Sequence, residues 1–357
     1  MNQSDQNPFG TRLKLARKRA GMSLQDLSDA LQNKVTKQAL SRYEQGEMNP
    51  TSEVLLAIAR TLKLKPDYFL KKNSLELGQV LFRKRAALSK KEEEAIVEKV
   101  RDYVERYVEL EEILNVQAPF VNPLQGFKIE AKTDVEKAAV KLRKDWNLGD
   151  NPIPNIVEML ELKGIKVILL DDNDALDGLA VFTSTGIPIV VVNKKDKPIE
   201  RLRFTIIHEL AHLLLDLSVV SENHKQEEEW CHFFSSCFLI PTNMLQTMMG
   251  GGKRSYIYIN ELIKIKEYFG ISIRAIVHRL RELGIITDNY YQRWMVYMSK
   301  NYGPKGEPGL YKGEEESKSF DLLIARGLSE GIISLSKAAA LCNRDINHLR
   351  KEYVSIN

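Results

Sequence analysis

Cysteine is scarce in this chain, and a hydrophobic run of membrane length is missing altogether. The 357 residues hold three cysteines, at positions 231, 237 and 342. An odd, scattered set argues against a disulfide framework. No 18 consecutive apolar residues occur, which excludes an ordinary transmembrane helix, and the start MNQSDQNPFG lacks the charged and then apolar segments of a secretory signal. The expectation is a cytoplasmic protein with no membrane partner. Charge of one sign is also nearly absent overall, at +4, with 43% hydrophobic and 28% charged residues, as in a soluble globular protein of two or three domains. That balance hides an asymmetry. Residues 1 to 75 carry 13 Lys and Arg against 7 Asp and Glu, so the basic excess is entirely N-terminal.

Histidine is sparse too, at six residues, yet two of them fall four apart in RLRFTIIHELAHLLLD, residues 201–216. On a helix, residues i and i+4 project from one face, so His208 and His212 can converge on one ion with Glu209 beside them. Ile206, Ile207, Leu210, Ala211, Leu213 and Leu214 surround the trio with apolar side chains, and a buried polar face needs something to satisfy it. A metal would do so. A catalytic zinc keeps three protein ligands and an open position, so one more ligand is sought. HKQEEEWCHFFSSCFLIP, residues 224–241, offers Glu227, Glu228, Glu229, Cys231, His232 and Cys237. Trp230, Phe233, Phe234, Phe238 and Ile240 make it a second, mostly buried helix ended by Pro241. Cys231 and Cys237 fit no zinc-finger spacing and read as small core residues.

These two segments together resemble the ImmA/IrrE family of zinc metallopeptidases, whose helices carry RFTLAHELGHLLL and ExxANxFAxxLLMP. The resemblance runs from about residue 134 to 298, through DGLAVF, IPIVVVN and FGISIRAIVHRLRELGII. It implies that His208 and His212 bind Zn2+, that Glu228 is the third ligand and that Glu209 is the general base. Ala211 replaces the family's usual glycine. His232 replaces its asparagine, and either orients a ligand from the outer shell or itself binds metal. His278 and Arg279 are candidate donors to the transition state. Thr185-Gly186 suggests a hairpin turn before IPIVVVN, residues 187–193, which reads either as a plain buried strand or as an edge strand that could hold a substrate peptide.

The first 70 residues read as five short helices with Ser23 and Thr36 as N-caps. They resemble an Xre/Cro-type helix-turn-helix domain. LQDLSDAL would be its first motif helix and TKQALSRYEQG its recognition helix. That alignment turns Thr36, Lys37, Gln38, Ser41 and Arg42 toward duplex DNA and makes Arg17 and Glu44 a buried ion pair. Leu24 stands where many such repressors have glutamine, and the turn holds two extra residues around Asn33-Lys34. Between the domains, Ser89 and Glu92 form a capping box. Ile96, Val100, Tyr103, Tyr107, Leu110 and Leu114 then follow heptad-like spacing, the seam of a homodimer or of a helix packed on the metallopeptidase. Residues 301–319 are rich in Gly, Pro and charge and read as a loop.

The fold expected is mostly α and multidomain. A five-helix DNA-binding domain spans 8–72 and a helical linker 73–130, with a long helix at about 90–115. An α+β zincin-like domain with a small antiparallel sheet spans 131–250, and a helical C-terminal region 251–357. The function expected is a DNA-binding, zinc-dependent endopeptidase that cleaves a partner transcriptional regulator. The alternative is a DNA-binding regulator or antitoxin-like module in which zinc is structural or sensory and no peptide is cut.

Overall fold

The computed structural model describes residues 8–71, 75–78, 89–117, 119–171 and 176–353, together with the backbone of 81–84. Among them no helix is long and apolar enough to cross a membrane. The chain forms two compact units, each assembled from separated segments: Met1–Gly78 with Ala86–Ala118 and Lys318–Asn357, and Gln79–Arg85 with Pro119–Ser317.

The first unit opens with α1 (Pro8–Arg19), α2 (Leu24–Ala30), α3 (Lys37–Glu44) and α4 (Ser52–Thr61), followed by a single 3-10 turn, Pro66–Leu70, where a fifth helix was expected. Local chemistry sets these boundaries. Ser23 accepts from the Asp26 amide while Asp26 caps Ser23 in return, and Thr36 accepts from the Ala39 amide. The two extra residues of the motif turn are absorbed by left-handed backbone at Gln32 and Asn33. Leu13, Leu27, Leu40, Ile58 and Phe69 form a fully buried core. Gly10 is required, since a β-carbon there would lie 2.4 Å from the Tyr43 carbonyl oxygen on α3.

In the same unit stand the long helix α5 (Lys90–Leu114) and three C-terminal helices, α14 (Ser319–Ser329), α15 (Leu335–Cys342) and α16 (Ile346–Tyr353). The seam of α5 is buried within its own unit. Tyr107, Leu110 and Leu114 cluster with Phe320, Ile324 and Ala338, and buried Arg12 of α1 donates to Glu105 of α5 at 2.5 Å. Neither an intermolecular coil nor the metallopeptidase is needed to cover that stripe. The segment read as one C-terminal helical region is therefore shared, with 318–353 here and 251–317 in the second unit.

The second unit is a helical body around a four-stranded sheet in the order β1 (Leu81–Lys84), β3 (Leu176–Phe182), β4 (Pro188–Asn193), β2 (Lys166–Leu170). The expected antiparallel sheet is mixed: β1–β3 and β3–β4 are antiparallel, β2–β4 parallel. The expected hairpin is present, with Gly186 at φ +84. IPIVVVN is no edge strand, because β4 is paired on both sides and buried along its whole length. An unbroken β-branched run suits a strand covered on both faces. Around the sheet lie α6 (Lys132–Asp145), α7 (Ile156–Leu162), α8 (Ile199–Leu214), α9 (His224–Leu239), α10 (Thr242–Met249), α11 (Ile259–Phe269), α12 (Ile273–Glu282) and α13 (Asp288–Tyr302). The loop after α13 is anchored: Glu315 ion-pairs with Arg203 of α8, both side chains fully buried, and accepts from the Ile156 and Val157 amides at 2.7 and 3.0 Å.

Candidate metal centre

Helix α8 packs on β3, β4 and α9 through Ile206, Ile207, Leu210 and Ala211, all fully buried. Helical periodicity then places His208 and His212 together, and the neighbouring α9 brings in Glu228 from its second turn. Glu228 Oε2 lies 3.5 Å from His208 Nε2, and Glu228 Oε1 lies 3.8 Å from His212 Nε2. One ligand atom from each of the three side chains falls within 4.8 Å of the others. His208 is buried, whereas His212 and Glu228 are partly exposed, so the group is open on one side. Two imidazoles and a carboxylate with an accessible side form the donor set of a hydrolytic zinc site, and these residues fit a Zn2+ ion.

Glu209 is 2% exposed and rests against β3. The space it occupies exists because residue 178 is glycine: a β-carbon there would lie 2.6 Å from Glu209 Oε1 and 2.9 Å from its Cδ. The other nitrogen of His212, Nδ1, faces Glu227 Oε1 at 3.4 Å and Cys231 Sγ at 3.7 Å. Cys231 is thus a core residue, as expected, but one that touches the centre. Burial pushes the Cys237 thiol up to about 12, in keeping with an inert core position. His232 lies beside the group. Its ring stacks on Phe204 with centroids 5.7 Å apart and lies 4.3 Å from that of His208. His224, exposed at the start of α9, reaches 3.7 Å from Glu227 and 4.0 Å from Glu228.

His278 and Arg279 sit in a bracing network of α6, α10 and α12. Arg279 is buried, donates to Glu136 at 3.0 Å and to Thr242 at 2.6 Å, and lies over the Phe233 ring. His278 lies 3.7 Å from Glu282. Burial alone would raise the Glu282 carboxyl, but hydrogen bonds from His278 and Lys132 hold it down at about 2. No sequence signal marks Gly178 for a part in the site, because it reaches Glu209 only through the packing of β3 on α8, and Glu227, one of the candidate ligands, faces His212 Nδ1 instead.

In the first unit, the recognition-helix candidates lie on one outward surface of α3. Thr36 caps the helix, Lys37, Gln38 and Arg42 are exposed, and Ser41 is half-buried beside them. Arg42 Nε lies 3.3 Å from Glu47 in an exposed pair, which contributes little to stability and leaves the guanidinium able to exchange partners. Arg17 holds Glu44 through two hydrogen bonds, at 2.7 and 2.9 Å, as the expected ion pair.

Two family models match the chain. Residues 13–69 match a helix-turn-helix family, and residues 160–281, which contain β2 to β4 and α8 to α11, match the IrrE N-terminal-like domain, a peptidase family. No curated protein matches.

Proposed function

From a chain that joins an Xre-type helix-turn-helix domain to an IrrE N-terminal-like peptidase domain, the combination of the ImmA/IrrE family, we infer a DNA-binding zinc endopeptidase that cleaves a partner transcriptional regulator. The observation that carries the reading is the convergence of His208, His212 and Glu228 within 4.8 Å, with the buried Glu209 carboxylate on the same helix. His208 and His212 would hold a Zn2+ ion through their imidazoles, and Glu228 would hold it through its carboxylate. Bound there, Zn2+ would supply Lewis acidity toward a water molecule and a peptide carbonyl, lowering the water's pKa toward about 7. The Glu209 carboxylate takes the water's proton and returns it to the departing amine. A structural zinc site has no use for a general base, which favours hydrolysis over a sensory role. His232 orients His208 by ring contact, and Glu227 holds His212 through Nδ1. Arg279, occupied by Glu136 and Thr242, is assigned to bracing.

The regulator is the substrate class that suits a peptidase carrying its own DNA-binding domain, because binding a common promoter raises the effective concentration of one toward the other. The test is comparative proteomics of cells carrying the wild-type protein or Glu209→Gln. Fragments of one transcriptional regulator should occur with the wild type and be missing with the variant. Identical fragment patterns would refute cleavage.

A further inference from the structure

β3 has two functional sides. Its Gly178 makes room for Glu209, and its outer edge pairs antiparallel with β1 in the register Leu81↔Ala180, Phe82↔Leu179, Arg83↔Gly178. β1 comes from the stretch between the N-terminal helices and α5, far from β3 in sequence. Arg83 is thus the backbone partner of the residue against which the candidate general base rests. An extended segment hydrogen-bonded to such a strand has the placement that a peptide acquires by strand addition. Among the described residues no other edge of the sheet offers it: β4 is paired on both sides, and the outer edge of β2 lies two strands from β3.

We propose that the outer edge of β3 is the peptide-binding edge of the candidate active site, and that residues 81–84 are its resident occupant, which an extended substrate segment displaces to pair antiparallel with β3. The proposal rests on Glu209 being the general base. β1 is suited to displacement. It has four residues against the seven of β3, and its register already shifts between Arg83 and Lys84, so few ladder bonds hold it. The substrate class that fits is an extended, proline-free peptide segment, because main-chain pairing needs every inward amide.

The test uses the full-length Glu209→Gln chain and a fluorescent peptide of residues 79–88, QVLFRKRAAL. In an antiparallel ladder adjacent residues turn their amides to opposite sides, so Leu81→Pro with Phe82→Pro removes at least one inward donor. Freeing the edge should tighten peptide binding, read by fluorescence anisotropy, by about 10-fold or more, since the apparent affinity scales with the fraction of chains whose edge is free. Equal affinities in the two chains, at equal zinc content, would overturn the proposal and make β1 an ordinary cover for an exposed edge. If the proline chain does not fold, amide exchange in the Glu209→Gln chain decides. Saturating peptide should speed exchange across 81–84 while β3 stays protected, and unchanged exchange refutes displacement. Both readouts are independent of catalysis. A chain that binds the peptide yet, with Glu209 intact, cleaves no protein would overturn the peptidase reading and leave the binding edge standing.

Discussion

At Gly178 the absence of one methyl group decides whether Glu209 has room. Gly178→Ala places a β-carbon 2.6 Å from Glu209 Oε1, so the carboxylate must move while the proposed ligands His208, His212 and Glu228 stay where they are. Displacement by a fraction of an ångström should lower hydrolysis roughly 10- to 100-fold with zinc content unchanged; an unaltered rate in a zinc-loaded Gly178→Ala protein would show that Glu209 needs no such positioning. Glu227 acts on the other side of the centre, 3.4 Å from His212 Nδ1. A carboxylate behind a ligating imidazole fixes its ring, so Glu227→Gln should weaken zinc binding by about 10- to 100-fold in a chelator competition, short of the loss expected for a ligand. At this scale the sequence was informative where chemistry follows local periodicity. The convergence of His208 and His212 on one face follows from their i, i+4 spacing. Glu228 needed the family resemblance, since Glu227 and Glu229 are equivalent acids by composition. Gly178 and the contact of Cys231 with His212 depend on packing between elements and leave no trace in spacing.

Among the elements, the network that binds α6, α10 and α12 has a testable pH signature. Glu282 is held at about 2 against an ordinary 4.5. A depressed carboxyl stabilises the fold above its unfolded value, and that contribution disappears as pH falls from about 4.5 to about 2. Glu282→Gln should therefore lower stability by up to about 3 kcal/mol near neutrality, and urea-unfolding curves of wild type and variant should converge toward pH 2. A gap that persists at the acid end would assign the effect to packing. The anchored loop after α13 is a harder element to read. Its Gly, Pro and charge content marks residues 301–319 as a loop, but nothing in it distinguishes Glu315, which is buried against Arg203, from the exposed Glu314 and Glu316 nearby. Strand identity was clearer than strand order. The β-branched run of β4 announces a strand, whereas its central position comes from β2 pairing parallel to it across the hairpin.

For the whole molecule, the segments that pack together differ from those adjacent in sequence. The basic N-terminal helices share their unit with α5 and α14 to α16, and Lys71 and Lys337 both bind Glu109 of α5. Ending the chain at residue 317 would uncover Tyr107, Leu110 and Leu114. Such a truncation should weaken salt-sensitive DNA binding, yet zinc content should be kept, because His208, His212 and Glu228, the proposed ligands, lie in the other unit; unimpaired DNA binding would show that α1 to α4 need no such support. In the full chain, Arg42→Ala should cut discrimination between DNA sequences by about 1–3 kcal/mol while leaving the steep fall of affinity with salt, which reflects phosphate contacts. The centre itself is tested most directly by metal analysis of the purified wild-type, Glu209→Gln and His212→Ala proteins. About one zinc per chain is predicted for the first two and none for the third, since the role proposed for Glu209 is on water and that proposed for His212 is on the metal. Full zinc occupancy in His212→Ala would contradict the centre.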